Sequence, residues 1–141
     1  MGGLVFGENG PEGHFGSLTW DKVRGDQTIG FRHLEGETGT YESALMMWQQ
    51  PDIPSDLMLA KRDSVRAIAD EDRRRAAWEK LIDDELVTRR RLYLGKTRRN
   101  ETLLEMLDSK GRTRIVMMVG ADGQPMLEFW DEEGEAIYHI P

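Results

Sequence analysis

Three histidines are the first candidates for chemistry, since imidazole binds metal ions and transfers protons near neutral pH. They are His14, His33 and His139, and each lies in a predicted strand or turn. No His-x-His or His-x-x-x-His spacing places two of them on one element, so a metal site would need all three to converge in space. We therefore predict no metal site and no cofactor, and we interpret the histidines as surface or core residues.

The candidate nucleophiles and paired carboxylates provide little further evidence of a catalytic site. The chain has no cysteine, which excludes a disulfide, a thiolate metal site and a cysteine nucleophile. The serines lack the Gly-x-Ser-x-Gly context of a hydrolase nucleophile, and no glycine-rich nucleotide fingerprint is present. Glu105 and Glu128 occupy equivalent positions of a weak internal repeat, 103–112 against 126–135. A glycosidase-like carboxylate pair is therefore one hypothesis, and two solvent-facing strand residues are the other.

Three tryptophans, Trp20, Trp48 and Trp130, each end a predicted strand. Aromatic rings at strand ends can form a platform for a small molecule or a glycan, or they can close a hydrophobic core. The ring positions alone favour the core interpretation, but they keep a ligand-binding site as an alternative.

Basic residues are concentrated in the middle of the chain. The segment 61–99 carries a net charge of +5, whereas the remainder carries −12 and the whole chain −7. This asymmetry indicates either an anionic partner or self-complementary packing. We do not expect nucleic acid as a partner, because the net negative charge repels the phosphate backbone. The candidate patch for an anionic partner or an interface consists of two arginine runs: Arg73, Arg74, Arg75, Arg89, Arg90 and Arg91.

The elements that must position these side chains are mostly strands. The 141 residues, 15 of them glycine, predict a single domain, 1–141, with β-hairpins over 3–48 and 88–140 and a helical insertion over 55–86. Ser55 and Asp70 are predicted N-caps of its helices. The fold class is mainly β (α+β): an antiparallel β-meander of about eight or more strands with a one- or two-helix insertion.

Two methionine pairs predict what surrounds the sheet. Met46-Met47 and Met117-Met118 put apolar side chains on both faces of their strands. Such strands must be covered on both sides, by the helices, by another sheet or by another subunit. We expect the helices to pack on one sheet face. The side chains expected to be buried there are Leu57, Val65, Ile68, Trp78, Leu81 and Ile82.

Several stretches resemble a family of uncharacterised bacterial proteins. They are the run from Gly3 to Trp20, Asp26-Gln27-Thr28, Trp48-x-x-Pro51-Asp52-x-Pro54, Asp-x-x-Gly-Arg-x-Arg-Ile ending at Ile115, and Ala-Asp-Gly-x-Pro-x-Leu-Glu-Phe ending at Phe129. Longer members carry an N-terminal apolar segment, which this chain lacks. The resemblance assigns no activity. It implies only that the chain is a soluble part of a protein anchored in, or lying beyond, a membrane.

The leading functional hypothesis is a non-catalytic structural or interaction module that forms a homo-oligomer. The alternatives are a small-molecule or glycan-binding domain and a hydrolase that uses acidic residues. No apolar run approaches the ~18 residues of a membrane-spanning helix, and no signal peptide is apparent. We therefore expect a cytoplasmic location by default. If the chain is a trimmed part of a longer protein, an extracytoplasmic or membrane-anchored location is the alternative.

Overall fold

The computed structural model describes residues 2–8, 13–23 and 25–140. It is mainly β: nine antiparallel strands form one meander sheet, and two helices lie between the fourth and fifth strands. The predicted fold class is thereby confirmed. The elements are β1 (Gly2–Glu8), β2 (His14–Asp21), β3 (Gln27–Glu35), β4 (Tyr41–Gln49), α1 (Ser55–Arg66), α2 (Glu71–Asp83), β5 (Arg89–Lys96), β6 (Thr102–Leu107), β7 (Thr113–Val119), β8 (Pro125–Trp130) and β9 (Ala136–Ile140).

Tight turns impose the meander, in which each strand pairs with its neighbours along the chain. Gly39, Gly111 and Gly123 adopt left-handed backbone conformations, with φ of 74°, 81° and 83°, which glycine reaches at no steric cost. Asn100 takes the corresponding place between β5 and β6, with φ of 66°. The turn predicted between β1 and β2 lies outside the described residues, at 9–12.

Strand alternation gives the sheet two faces of different character. Ala44, Met46 and Tyr93 form a buried cluster on one face, with Trp48 and Leu103 packed against it. Polar side chains interleave with these apolar ones, so we call this side the mixed face. Burial raises the pKa of the Tyr93 phenol, whose hydroxyl donates to the carbonyl oxygen of Lys96 at 3.2 Å.

The two helices form a separate hairpin, and the expectation that they pack on a sheet face is wrong. Val65 of α1 and Leu81 of α2 are buried with Val87 in a cluster of their own, whereas Leu57 is exposed. The end of β4 and the start of β5 lie side by side, because these two strands are paired antiparallel. The helical hairpin is therefore joined to the sheet at a single end. It contacts the sheet through side chains at that end, including the ion pair of Lys110 with Asp83 at 2.7 Å.

The helix caps are only partly as predicted. Asp70 caps α2, since its side chain accepts from the backbone N–H of Arg73 at 2.8 Å. Ser55 is instead the first residue of α1, and the N-cap position falls on Pro54. Pro54 fits there because its φ of −57° suits the entry to a helix.

Loss of the Asp70 cap is expected to loosen the hairpin. Asp70→Ala removes an acceptor for a helix N-terminal N–H group and should lower the free energy of unfolding by about 0.5–2 kcal/mol. Thermal unfolding followed by helical circular dichroism measures the effect. Asp84→Ala, just after α2, is the matched control and should change the midpoint little. Equal midpoints for wild type and Asp70→Ala would contradict the assignment of the cap.

Candidate interaction surface

The face opposite the mixed face has an apolar centre, because two uninterrupted rows of apolar side chains run across it. The strand registers align the first row over all nine strands and the second row over eight of them. The first row is Leu4, Leu18, Phe31, Leu45, Leu94, Leu104, Met117, Leu127 and Ile140. The second row is Trp20, Ile29, Met47, Leu92, Met106, Ile115, Phe129 and Tyr138. We call these two rows the apolar face.

Nothing within the described residues covers the apolar face. Phe31 and Leu94, near its centre, are 51% and 46% exposed. The adjacent methionines show the contrast between the faces, since Met46 on the mixed face is 2% exposed and Met47 on the apolar face is 41% exposed. Exposed apolar patches larger than a few hundred Å² are typical of interaction sites.

Polar side chains lie at one margin of the apolar face. His33 and Ser43 pair across β3 and β4, with Nδ1 of the histidine 2.7 Å from the serine hydroxyl. Nε2 of His33 lies 3.8 Å from a carboxylate oxygen of Glu35. The Lys96 ammonium lies 3.9 Å from the centre of the Tyr41 ring. An apolar centre with a polar margin is the usual anatomy of a protein interface.

The three tryptophans do not share one surface. Trp20 lies on the apolar face, where its ring meets Phe31 edge-on with centroids 6.5 Å apart. Trp48 packs on the mixed face. Trp130 lies four strands from Trp48, and its Nε1 is buried without a hydrogen-bond partner in the described part of the chain. One ligand contacting all three rings does not fit these placements, and a site at a single ring stays a prediction.

The two arginine runs lie on different elements. Arg73, Arg74 and Arg75 occupy the first turns of α2. Arg74 Nη1 donates to the carbonyl oxygen of Ile68 at 3.1 Å, and Arg75 Nη2 lies 2.6 Å from Asp72. This run therefore belongs to the helical hairpin and lies apart from the second run in β5.

The second run is largely engaged within the sheet. Arg90 forms an ion pair with Glu105 at 2.5 Å and lies over the Tyr93 ring. Arg91 donates to the carbonyl oxygen of Leu107 at 2.9 Å and to Gln49. Burial lowers the pKa of Arg89. Contacts within the chain therefore neutralise or engage part of the positive charge of the basic segment.

Glu105 and Glu128 lie on the same row of the mixed face, with Val116 between them. Glu105 accepts from Arg90 and from the Thr113 hydroxyl at 2.7 Å. Glu128 lies 3.0 Å from Nδ1 of His139. Each carboxylate thus has its own partner, and the backbones are about 10 Å apart across two strand spacings.

Over 2–8, 13–23 and 25–140, no group of three or more histidine, aspartate or glutamate side chains is placed to hold a metal ion. In the same ranges no helix has the length and apolar content needed to cross a membrane.

Asp108 holds the turn between β6 and β7 by charge as well as by geometry. Its Oδ1 accepts from the backbone N–H groups of Lys110 and Arg112 at 2.9 and 3.0 Å. Its Oδ2 accepts from Arg112 Nε at 2.7 Å. Burial acts to raise the pKa of Asp108, but the hydrogen bonds and charge of Arg112 outweigh it and leave the pKa below its usual range.

The depressed pKa of Asp108 predicts pH-dependent stability. The stabilisation is complete above the ordinary carboxylate pKa of about 4 and is lost as the pH falls through the lower native value. Asp108→Asn keeps an acceptor for the turn but loses the charge, so it should cost about 1 kcal/mol at neutral pH. Urea unfolding across pH should show this difference shrinking below about pH 3.

Asp131 supplies the matched control for that prediction. It accepts from the N–H groups of Glu133 and Glu135 at 3.0 and 2.8 Å and has no ion pair within the described ranges. Asp131→Asn should therefore cost less than Asp108→Asn at neutral pH. An Asp108→Asn penalty that stays constant into strong acid would contradict the role of the charge.

Comparisons with known proteins add no relative. No protein-family model matches the chain, no curated protein is significantly similar to it, and no solved structure is significantly similar to it. The resemblance to the bacterial family therefore stays a prediction.

Proposed function

We propose that the protein is a non-catalytic interaction module, built from repeated β-hairpins, that forms a homo-oligomer through its apolar face. The occupant of that face is a second copy of this chain. The observation that carries the proposal is the pair of apolar rows across the sheet, exposed at their centre around Phe31 and Leu94.

The architecture removes two of the three coverings that the methionine pairs predict. All nine strands belong to one sheet, so no second sheet of the described chain lies against the apolar face. The helices pack on each other and leave Met47 exposed. Another subunit is the third covering, and it is the one that we propose. A two-fold axis would bring the same face of each copy together, which is the commonest symmetry of protein oligomers.

The chain exposes more surface than a compact monomer of its mass, as expected of a protein with an uncovered interface. The chain exposes 9458 Å², whereas a folded monomer of 16.2 kDa exposes about 7,500 Å². A standard interface removes about 800 Å² from each partner. The whole chain thus exposes roughly 2,000 Å² more than a compact fold of its mass, and the apolar face, which extends about 40 Å across nine strands, contributes to this excess.

Charge is not the expected driving force of assembly. Neither row of the apolar face contains a charged residue, and Arg75 and Arg90 are paired within the chain. The asymmetry between the basic segment and the acidic remainder is therefore partly neutralised inside each copy. Burial of apolar area, which does not depend on ionic screening, supports the association instead.

Light scattering on a sizing column tests the oligomeric state. Measured at low salt and at ~0.5 M salt, which screens exposed charges beyond a few ångströms, the mass should be about twice 16.2 kDa in both cases. A monomer at both salt concentrations would contradict the proposal. Dissociation by salt alone would assign the association to charged groups instead of the apolar face.

A second candidate function is small-molecule or glycan binding at Trp20. The specific observation is that this ring is exposed on the apolar face beside Phe31, as in many aromatic ligand platforms. A change in tryptophan fluorescence on adding a ligand, lost in Trp20→Leu, would support it. A hydrolase using Glu105 and Glu128 is a weaker proposal, because each carboxylate already has its own partner on the mixed face. Unimpaired activity in the double variant Glu105→Gln, Glu128→Gln would remove it.

A further inference from the structure

A cavity in the helical hairpin combines positive charge with an aromatic wall. It has a volume of about 450 Å³, within the range of small-ligand sites. Its lining consists of Val65, Arg66, Glu71, Arg74, Arg75 and Trp78. This cavity lies apart from the apolar face and is independent of the proposed assembly.

The arginines of this cavity retain donors for an anion. Arg66, at the end of α1, forms no hydrogen bond or ion pair within the described chain. Arg74 uses Nη1 for the Ile68 carbonyl oxygen, which leaves most of its five N–H donors. The pair of Arg75 with Asp72 is exposed on both sides, and such pairs contribute little to stability. A ligand can therefore compete for that guanidinium.

The net positive charge of the lining favours an anionic ligand that carries only a few negative charges. Three guanidinium groups face one carboxylate, Glu71, in a chain whose net charge is −7. Guanidinium groups bind phosphate oxygens in a bidentate geometry. Asp70 already caps α2, so the arginine side chains, not the helix terminus, supply the attraction.

The remaining wall is suited to a flat ring. Val65 is buried and Trp78 is half-buried against the same apolar cluster. An indole face packs against planar aromatic groups, and Glu71 can accept a hydrogen bond from an amino or hydroxyl substituent. We propose that this cavity binds a small ring-bearing phosphate monoester, with the phosphate on Arg66 and Arg74 and the ring against Trp78.

Isothermal titration calorimetry with adenosine monophosphate as the probe tests the site. Adenosine supplies the ring without charge, and inorganic phosphate supplies the charge without the ring. The monophosphate should bind more tightly than either. No heat with the monophosphate at millimolar concentration, or equal binding of adenosine, would overturn the proposal.

Variants of the lining make the test specific. Arg66→Gln removes a side chain without partners, so the fold should persist while affinity for the monophosphate falls roughly tenfold to hundredfold. Trp78→Phe should weaken the monophosphate more than inorganic phosphate. Arg98→Gln, in the turn between β5 and β6, is the matched control with the same charge change. Unchanged affinity in Arg66→Gln, or an equal loss in Arg98→Gln, would overturn the assignment.

Discussion

Replacing Phe31 and Leu94 together with aspartate is expected to convert the protein into a monomer. Both side chains lie in the first row of the apolar face, one on each side of Leu45. Central interface residues typically contribute 2 kcal/mol or more to association, so the double variant should weaken the dimer roughly a thousandfold. Sedimentation velocity over a dilution series measures the dissociation constant.

The matched control for this variant keeps the charge and changes the place. The double variant Val23→Asp, Leu59→Asp adds the same two charges at exposed apolar side chains outside the strands, and it should leave the dimer intact. Because Phe31 and Leu94 are about half exposed in a single chain, the double variant should still fold, as circular dichroism would show. An assembly that survives the double variant would place the interface elsewhere.

Met46→Ala is expected to give the largest loss of stability of the single chain. Met46 is 2% exposed in the cluster with Ala44 and Tyr93. Truncating a buried methionine to alanine costs about 2–5 kcal/mol, because the cavity closes only in part. Urea unfolding in the Phe31→Asp, Leu94→Asp background measures this cost without a contribution from association.

Met47→Ala is the control for Met46→Ala, since the two residues differ by one position and by the face they occupy. In the monomeric background Met47→Ala should cost less than about 1 kcal/mol, because the side chain remains in contact with water. In the native chain it should weaken the dimer instead. Equal unfolding penalties for the two variants in the monomeric background would contradict the two-faced description of β4.

The sequence contains most of the information about the sheet. The period of two in segments such as Leu92–Leu94 predicts strands, and glycines at 111 and 123 predict the tight turns that fix sequential pairing. The methionine pairs predict that both faces need cover. Asp70, followed by acidic residues, predicts the start of α2. These features depend on neighbours in the chain, so a single sequence suffices to find them.

The parts that were missed depend on which elements meet in space. Apolar side chains of the helices, such as Val65 and Leu81, have the same pattern whether they pack on each other or on a sheet. The faces of Trp20 and Trp48 depend on pairing across strands and on the irregular register between Met47 and Trp48. The ion pair of Arg90 with Glu105 joins residues 15 positions apart, which no local pattern encodes.

The central claim is that a second copy covers the apolar face, and thiol labelling tests it directly. The chain has no cysteine, so Leu94→Cys introduces a single thiol on that face, and Leu59→Cys introduces one of similar exposure on α1. With rising protein concentration, the maleimide labelling rate of the Leu94→Cys thiol should fall at least about tenfold, as expected of a group desolvated in an interface. The rate for the Leu59→Cys thiol should stay constant. Equal, concentration-independent rates at the two sites would contradict the account.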